Sequence, residues 1–177
     1  EQDIIVSTTG KTSRELFELR RARGQNHDAD FLTVGSMGHS SQIALGIALQ
    51  KPNRQVFCLD GDGSVLMHTG GLAIVGQTAP ANFRHIVLNN KAHDSVGGQP
   101  TASPNVDYVG LARATGYRYV ARAIDCSEVE NAVRQMVQEE GPCFLEVRVK
   151  KGARKDLGRP TSTPLANRND LMEGLLG

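Results

Sequence analysis

The chain has 177 residues, of which 39% are hydrophobic and 22% charged, which is enough for one globular domain with a substantial core. Its 20 Lys and Arg nearly balance 19 Asp and Glu, giving a formal net charge of +1, so charge gives no reason to expect nucleic acid or an acidic membrane as a partner. Cys58, Cys126 and Cys143 form no CxxC pair, which argues against a disulfide framework or zinc site and favours a reducing, cytoplasmic setting. The apolar runs are too short to span a bilayer, and no signal-peptide pattern opens the chain.

Short apolar runs alternate with amphipathic segments from the start of the chain. The β-branched run at residues 4–7 predicts a strand, and Thr12 with Glu15 predicts a capping box for a helix that ends at Gly24. Residues 31–34 predict a second strand. A tight turn follows at residues 35–38, and then a helix over residues 40–50, which Pro52 stops.

The same alternation continues through the second half of the chain. It predicts strands at 56–60, 85–89, 117–123 and 143–149, and helices at 66–77, at 106–114 with Gly116 as its cap, and after Ser127. This pattern predicts an α/β fold, a doubly wound and mostly parallel sheet with helices on both faces. Residues 1–150 would form the ligand-binding domain, and residues 151–177 a basic, polar tail or lid.

Ligands of such sheets bind beyond the C-terminal ends of the strands, so we expect the site in the loops after Val34, Asp60 and Asn89. After Asp60 the chain reads Gly61-Asp62-Gly63-Ser64. Glycines at 61 and 63 allow the main chain to approach a diphosphate closely, and Asp62 can hold a divalent cation. Such a turn is by itself common in loops without a ligand.

A second polar pair makes the turn more informative. Asn90 follows Asp62 by 28 residues and comes just after the apolar run at 85–88. One crossover would therefore return Asn89-Asn90 to a strand end beside the glycine loop. A carboxylate, an amide oxygen and a nearby main-chain carbonyl suit magnesium, with substrate phosphate and water completing the coordination.

Together these residues resemble the motif of the thiamine diphosphate-dependent decarboxylases, a GDG turn followed about thirty residues later by NN. The resemblance covers about residues 30–150. It implies that the Asp62 and Asn90 side chains and the Ala92 carbonyl bind Mg²⁺, and that Gly61, Gly63 and Ser64 line the diphosphate. It also implies that Gly35, Ser36 and Met37 form the pyrimidine side, where Met37 would hold the cofactor bent.

Within that family, residues 35–42 (GSMGHSSQ) and 89–101 (NNKAHDSVGGQPT) most resemble the phosphonopyruvate decarboxylases, with the sulfopyruvate decarboxylases as nearest relatives. The resemblance implies decarboxylation of a 2-keto acid with an anionic head group, giving phosphonoacetaldehyde and carbon dioxide when that head is a phosphonate. The glutamate that activates the aminopyrimidine in this family has no counterpart here. We therefore expect a second domain or subunit to supply it, and a homo-oligomer. Because Glu1 replaces an initiator Met, the chain is expected to be a fragment or one subunit.

Several polar residues leave alternatives open. His93 is the candidate catalytic residue, donating to the phosphonate or acting as a proton donor, but a solvated loop histidine explains it equally well. His39, Ser95 and Gln99 are candidates for substrate contact, although a solvated loop histidine is the preferred explanation for His39, and ordinary turn chemistry also accounts for Ser95, Gln99 and Thr101. The basic tail fits either a lid or a solvated segment.

Two other function classes compete with the decarboxylase. A dinucleotide-binding oxidoreductase would need a G-x-G-x-x-G after its first strand, which is absent. A non-catalytic subunit would have no reason to keep both Asp62 and Asn90.

Overall fold

A single six-stranded parallel sheet forms the centre of the computed structural model, which describes residues 3–176; Glu1, Gln2 and Gly177 lie outside the described residues. The strands are β1 (Ile4–Ser7), β2 (Asp30–Leu32), β3 (Val56–Gly61), β4 (Phe83–Asn89), β7 (Tyr119–Ala123) and β8 (Cys143–Arg148). Their spatial order is β2-β1-β3-β4-β8-β7, and each neighbouring pair is parallel. A separate antiparallel pair joins β5 (Ala92–His93) to β6 (Gln99–Pro100).

In residues 3–176, seven α-helices connect and cover these strands. They are α1 (Lys11–Ala22), α2 (Ser40–Gln50), α3 (Asp62–Met67), α4 (Gly70–Thr78), α5 (Tyr108–Ala114), α6 (Cys126–Gln138) and α7 (Pro164–Leu176). None of the described helices is long and apolar enough to cross a bilayer.

Helices cover both faces of the sheet, because alternate side chains of each strand point to opposite faces. On β4, Val87 joins the core that contains residues of α2, α4, α5 and α7, whereas Ile86 and Leu88 pack against the core of α6. On β1, Ile5 packs against the small cluster of α1. The predicted fold class, a doubly wound parallel sheet with helices on both faces, is confirmed.

The two predicted N-terminal helix caps, the Thr12–Glu15 box and Ser127, are wrong. The first helix begins at Lys11 with Gly10 as its N-cap and no side-chain cap, so Thr12 and Glu15 form no capping box. The sixth helix is capped by Asp125, which accepts a hydrogen bond from the Glu128 amide, and Ser127 lies inside the helix. Asp125 has the extended backbone that an N-cap requires.

The predicted helix over residues 66–77 is also wrong in its bounds. Helix α3 starts directly at Asp62, so Gly63 and Ser64 belong to its first turn rather than to a loop. It ends at Met67, and α4 begins at Gly70. The break occurs where the Thr69 hydroxyl donates to the carbonyls of Val65 and Leu66, which competes with continued helical hydrogen bonding.

The segment after residue 150, predicted as a tail or lid, contains a helix. Helix α7 packs on β2 through Asn167 and Leu171, its two buried side chains. The Asn167 amide accepts a hydrogen bond from Leu32 N at 2.9 Å and donates one to the Asp30 carbonyl at 2.8 Å. The segment between β8 and α7 reaches back across the molecule, where Arg154 pairs with Glu15 and Glu18 of α1. The division into two regions at residue 150 stays a prediction.

Replacing Asn167 with alanine should lower the free energy of unfolding by about 2 kcal/mol, because two main-chain groups of β2 lose their partners. Chemical denaturation monitored by circular dichroism measures the change. The exposed Asn169, on the same helix, is the matched control, and Asn169→Ala should change the free energy by less than about 0.5 kcal/mol. Equal effects of the two substitutions would contradict the docking role of Asn167.

Candidate active site

A cavity lies at the C-terminal edge of the sheet, where the strand order reverses. The chain runs from β1 outward to β2 and then crosses to β3 on the other side of β1. In doubly wound sheets the crevice at this switch point is the usual ligand site. A cavity of about 500 Å³ opens there, lined by residues that follow β1, β3 and β4, among them Thr8, Thr9, Gly61, Asp62, Gly63, Ser64, Asn90, Ala92 and His93.

The aspartate of the GDG turn reaches this cavity although it is only 2% exposed. The Thr101 hydroxyl donates to its Oδ2 at 2.5 Å, and the Tyr108 hydroxyl donates to the main-chain carbonyl of Asp62 at 3.0 Å. Burial raises the pKa of Tyr108, so that hydroxyl keeps its proton. Asp62 is therefore held in place from both its side chain and its main chain.

Gly63 makes close contact with His93, which explains why this position has no side chain. A Cβ atom added at Gly63 would lie 2.4 Å from Cε1 of His93. The imidazole of His93 thus lies directly against the turn and lines the same cavity. This is the position predicted for a residue at the mouth of the site.

The two asparagines at the end of β4 have different environments. Asn89 is 3% exposed and accepts from the Ser103 hydroxyl while donating to Oε1 of Glu146, each at 2.7 Å. Asn90 faces the cavity; its Oδ1 accepts from Ala92 N at 3.0 Å, and its Nδ2 donates to Asp94 at 2.7 Å. Asn89 therefore anchors the loop, and Asn90 presents its amide to the cavity.

A second cavity of about 660 Å³ adjoins the first, and both are lined by Thr9, Met37 and Ser95. The predicted pyrimidine-side residues Gly35 and Ser36 line this second cavity. Both have positive φ, 71° and 47°, a conformation that glycine adopts freely and serine rarely. Met37 lies between the two cavities, the position expected of a residue that separates two parts of one ligand.

The predicted substrate contacts are only partly brought together. Ser95 lines both cavities. His39 is exposed, is not among the lining residues of either cavity, and packs against the His68 ring at a centroid distance of 4.2 Å. Gln99 is also exposed; it pairs with the lining residue His93 across β5 and β6 but does not itself line either cavity. Of the three predicted substrate contacts, Ser95 alone lines these cavities.

The β1–α1 junction also lies at the site, which the sequence pattern did not predict. Thr8, Thr9 and Lys11 line the first cavity, and the Thr8 hydroxyl donates to Oγ of Ser64 at 3.1 Å. The strand-end rule applied to residues 33–38, 60–64 and 89–90 also applies after Ser7, and Gly10, with φ 99°, marks the turn there. The segment after β8, including Lys150 and Gly152, forms another wall of the cavity.

The residues present fit a divalent cation with a phosphorylated ligand. Oxygen donors are available from the Asp62 carboxylate and the Asn90 amide, the ligand types that magnesium prefers. Because residues 61 and 63 are glycines, they have no side chain that could cover their own main chain. The cavity volume suits a ligand of cofactor size.

Comparison with known families decides the kind of ligand. Residues 8–147 match the family described as "Thiamine pyrophosphate enzyme, C-terminal TPP binding domain". The chain belongs to this family. The family predicted from the GDG turn and the two asparagines is confirmed, and thiamine diphosphate is the cofactor of this thiamine pyrophosphate enzyme domain.

Two curated relatives and one solved structure place the domain further. It is 44% identical over 160 residues to "Phosphonopyruvate decarboxylase" of Streptomyces viridochromogenes, covering 90% of this chain and 39% of that protein. It is 34% identical over 152 residues to "Sulfopyruvate decarboxylase subunit beta" of Methanothermobacter thermautotrophicus, covering 86% of this chain and 76% of that subunit. The fold is similar to transketolase from Campylobacter jejuni, with a TM-score of 0.66 at 16% identity over 82% of this chain and 29% of that one.

Proposed function

We propose that this chain forms the diphosphate- and magnesium-binding half of the active site of a carboxy-lyase that converts phosphonopyruvate to phosphonoacetaldehyde and carbon dioxide. The observation that carries this proposal is that the GDG turn, with its Asp62 side chain, and Asn90 line the same cavity at the switch point of the sheet. The 44% identity to a phosphonopyruvate decarboxylase supports the substrate.

In this proposal the chain's residues divide into three groups. Asp62, Asn90 and the Ala92 carbonyl bind Mg²⁺, and Gly61, Gly63 and Ser64 line the diphosphate. Gly35, Ser36 and Met37 contact the pyrimidine side from the adjoining cavity. The cofactor, when bound, supplies the electron sink for the bond to the departing carboxylate.

The residues of this chain bind and orient the reactants and handle protons. His93, held against Gly63, is proposed to donate a proton from its imidazole to the substrate or a hydrogen bond to the phosphonate. Ser95 offers a further hydroxyl at the same cavity. In this proposal, the walls formed by β5 and by the segment after β8 limit the access of water to the reacting carbon.

Replacing His93 with alanine should lower kcat by about 100-fold while changing the Kd for thiamine diphosphate by less than about threefold, because the imidazole acts on substrate rather than on the cofactor. Steady-state kinetics and calorimetric titration measure the two quantities. His39→Ala is the control at a histidine outside both cavities and should leave kcat unchanged. An unaltered kcat in His93→Ala would contradict a catalytic role and indicate that His93 is an ordinary loop residue.

We propose that a pyrimidine-binding domain or subunit completes the site with the activating glutamate. The chain spans 39% of the Streptomyces relative, which leaves room in that protein for a second domain. It spans 76% of a relative named as a beta subunit, which by its name assembles with another chain. Both relationships support a site formed together with another domain or chain. We propose that this assembly is a homo-oligomer and that it functions in the cytoplasm.

The second candidate is decarboxylation of sulfopyruvate. The match to the beta subunit of sulfopyruvate decarboxylase supports it, since this chain covers most of that subunit. Phosphonate and sulfonate head groups are both tetrahedral anions, so the same cavity would bind either. The two head groups differ in their central atom, phosphorus or sulfur, and the phosphonate has one more ionisable oxygen, so a direct assay of each substrate separates the candidates.

Phosphorus NMR of phosphonopyruvate with the complete protein, thiamine diphosphate and magnesium tests the proposal, with sulfopyruvate and release of carbon dioxide followed in parallel. We expect phosphonoacetaldehyde to form, with little turnover of sulfopyruvate. The reverse preference would favour the second candidate. Failure of both substrates, with the pyrimidine-binding part present, would contradict decarboxylation of anionic 3-substituted pyruvates.

A further inference from the structure

Directly beneath the GDG turn lies a buried polar cluster that the proposed chemistry does not use. Asp60, His85 and Tyr117 are 1%, 0% and 5% exposed, and they sit within an otherwise apolar core. Burying a carboxylate and an imidazole in such a core is costly unless they are paired. The cost of burying these polar groups indicates that they have a specific role.

Strand register brings these side chains to one place. Cys58 of β3 pairs with His85 of β4, and Asp60 pairs with Val87, so Asp60 and His85 project from the same face of adjacent strands. Oδ2 of Asp60 lies 3.5 Å from Nε2 of His85. Nδ1 of His85 lies 3.0 Å from the Tyr117 hydroxyl.

The chemistry of the neighbours fixes the direction of these contacts. Burial raises the pKa of Tyr117 well above its usual value, so its hydroxyl keeps its proton and has it available for Nδ1 of His85. Nε2 of His85 faces the Asp60 carboxylate, which can only accept, so Nε2 carries the ring proton and Nδ1 accepts from Tyr117. Burial also raises the pKa of Asp60, but the contacts with His85, Ser64 and the Gly61 amide outweigh it and hold the pKa below its usual value, so the group is a carboxylate.

The free end of this chain of contacts reaches the cofactor turn. Oδ1 of Asp60 accepts a hydrogen bond at 2.9 Å from Gly61 N, the first amide of the GDG turn. Ser64, the last residue of that turn, accepts hydrogen bonds from the Thr8 hydroxyl and from Gly38 N. The turn is therefore tied to the core at its start by Asp60 and across the cavity at its end by Ser64.

The rings around His85 remove its freedom to rotate. Phe83, Tyr117 and Phe144 surround it with centroid distances of 5.9, 6.1 and 5.3 Å. An imidazole held by aromatic edges and by the Tyr117 hydroxyl keeps Nε2 directed at Asp60. Rigid support of this kind fixes a binding loop better than the loop's own contacts can.

We propose that Asp60, His85 and Tyr117 form a positioning relay that sets the conformation of the GDG turn, and that this preorganises it for the diphosphate and its cation. That the ordered turn binds a diphosphate and its cation rests on the proposed function. That the relay orders the turn does not rest on it, because this ordering is a property of the protein without cofactor.

Tyr117→Phe tests the relay with the smallest change, since it removes one hydroxyl and keeps the ring, and His85→Gln is the second variant. Both are made in the complete protein. Hydrogen–deuterium exchange of the cofactor-free protein follows the peptide that covers residues 61–64, and calorimetry gives the Kd for thiamine diphosphate at saturating magnesium. Thermal unfolding monitors global stability. The matched controls are Met136→Ala and Leu145→Ala, which remove buried packing from the core of α6 on the other face of the sheet, away from the His85 imidazole.

We expect exchange at residues 61–64 to become about tenfold faster in both relay variants, and the Kd to rise by about tenfold, the scale of losing an outer partner of a ligand. The controls should lower the melting temperature yet leave turn exchange and Kd unchanged. Equal turn exchange in relay and control variants would overturn the proposal. If turn exchange became faster in the relay variants but neither they nor the wild type bound thiamine diphosphate, the relay would stand and the proposed function would be refuted.

Discussion

Replacing Asp62 with alanine should reduce the magnesium-dependent affinity for thiamine diphosphate by about 100-fold or more, because in the proposed site the change removes a charged inner ligand of the cation. Asn90→Ala should act in the same direction, with a smaller loss because a neutral amide oxygen binds the cation less strongly. Isothermal titration of the complete protein with the cofactor, with and without magnesium, measures both.

Two comparisons separate loss of the ligand from loss of the fold. Alanine at 62 also leaves the buried Thr101 hydroxyl without its acceptor, whereas Asp62→Asn keeps an oxygen there and removes the charge. Asp170→Ala, at an exposed position on α7, controls for the loss of a carboxylate elsewhere. Unchanged affinity in both Asp62→Ala and Asn90→Ala, with the fold intact, would contradict the magnesium assignment.

Replacing Gly76 with alanine should lower the free energy of unfolding by about 3 kcal/mol or more, because α4 crosses the end of α5 at that residue without room for a methyl group. A Cβ atom at Gly76 would lie 1.6 Å from the Thr115 carbonyl oxygen, and main chain cannot rotate away as a side chain can. Chemical denaturation of the wild type and the variant gives the difference.

A second helical glycine provides the opposite expectation. A Cβ atom at Gly46, inside α2, would meet no atom within 4 Å. Gly46→Ala should therefore stabilise the protein by up to about 1 kcal/mol, since alanine is the better helix former. If Gly76→Ala were as well tolerated as Gly46→Ala, the close approach of α4 to residue 115 would be wrong.

The fold was largely predictable because strand, glycine turn and amphipathic helix follow one another with little interruption. Details that depend on backbone geometry were not. Asp125 and Ser127 are both residue types that cap helices, and only the extended conformation at Asp125 decides between them. Helix α7 buries just two of its side chains, one of them the polar Asn167, so its sequence carries no clear apolar stripe.

The candidate site was likewise predictable only in part. Asp62 and Asn90 could be brought together from sequence because adjacent parallel strands end at the same edge of a sheet. The pairing of His85 with Tyr117 could not, because 32 residues separate them and the contact depends on how β4 and the turn before β7 pack. His39 stands in a conspicuous motif, yet its ring packs against His68 outside the cavities.

The docking of α7 has a consequence for how copies of this protein meet one another. Ala29 O and Thr33 N bond to β1, so Asp30 O and Leu32 N point to the open side of the outermost strand. An unpaired strand of that kind can recruit a strand from another molecule. The carboxamide of Asn167 offers one acceptor and one donor to these two groups, as the peptide unit of a neighbouring strand would. A single side chain thus pairs two outward main-chain groups of β2 and opposes intermolecular β-pairing at that edge.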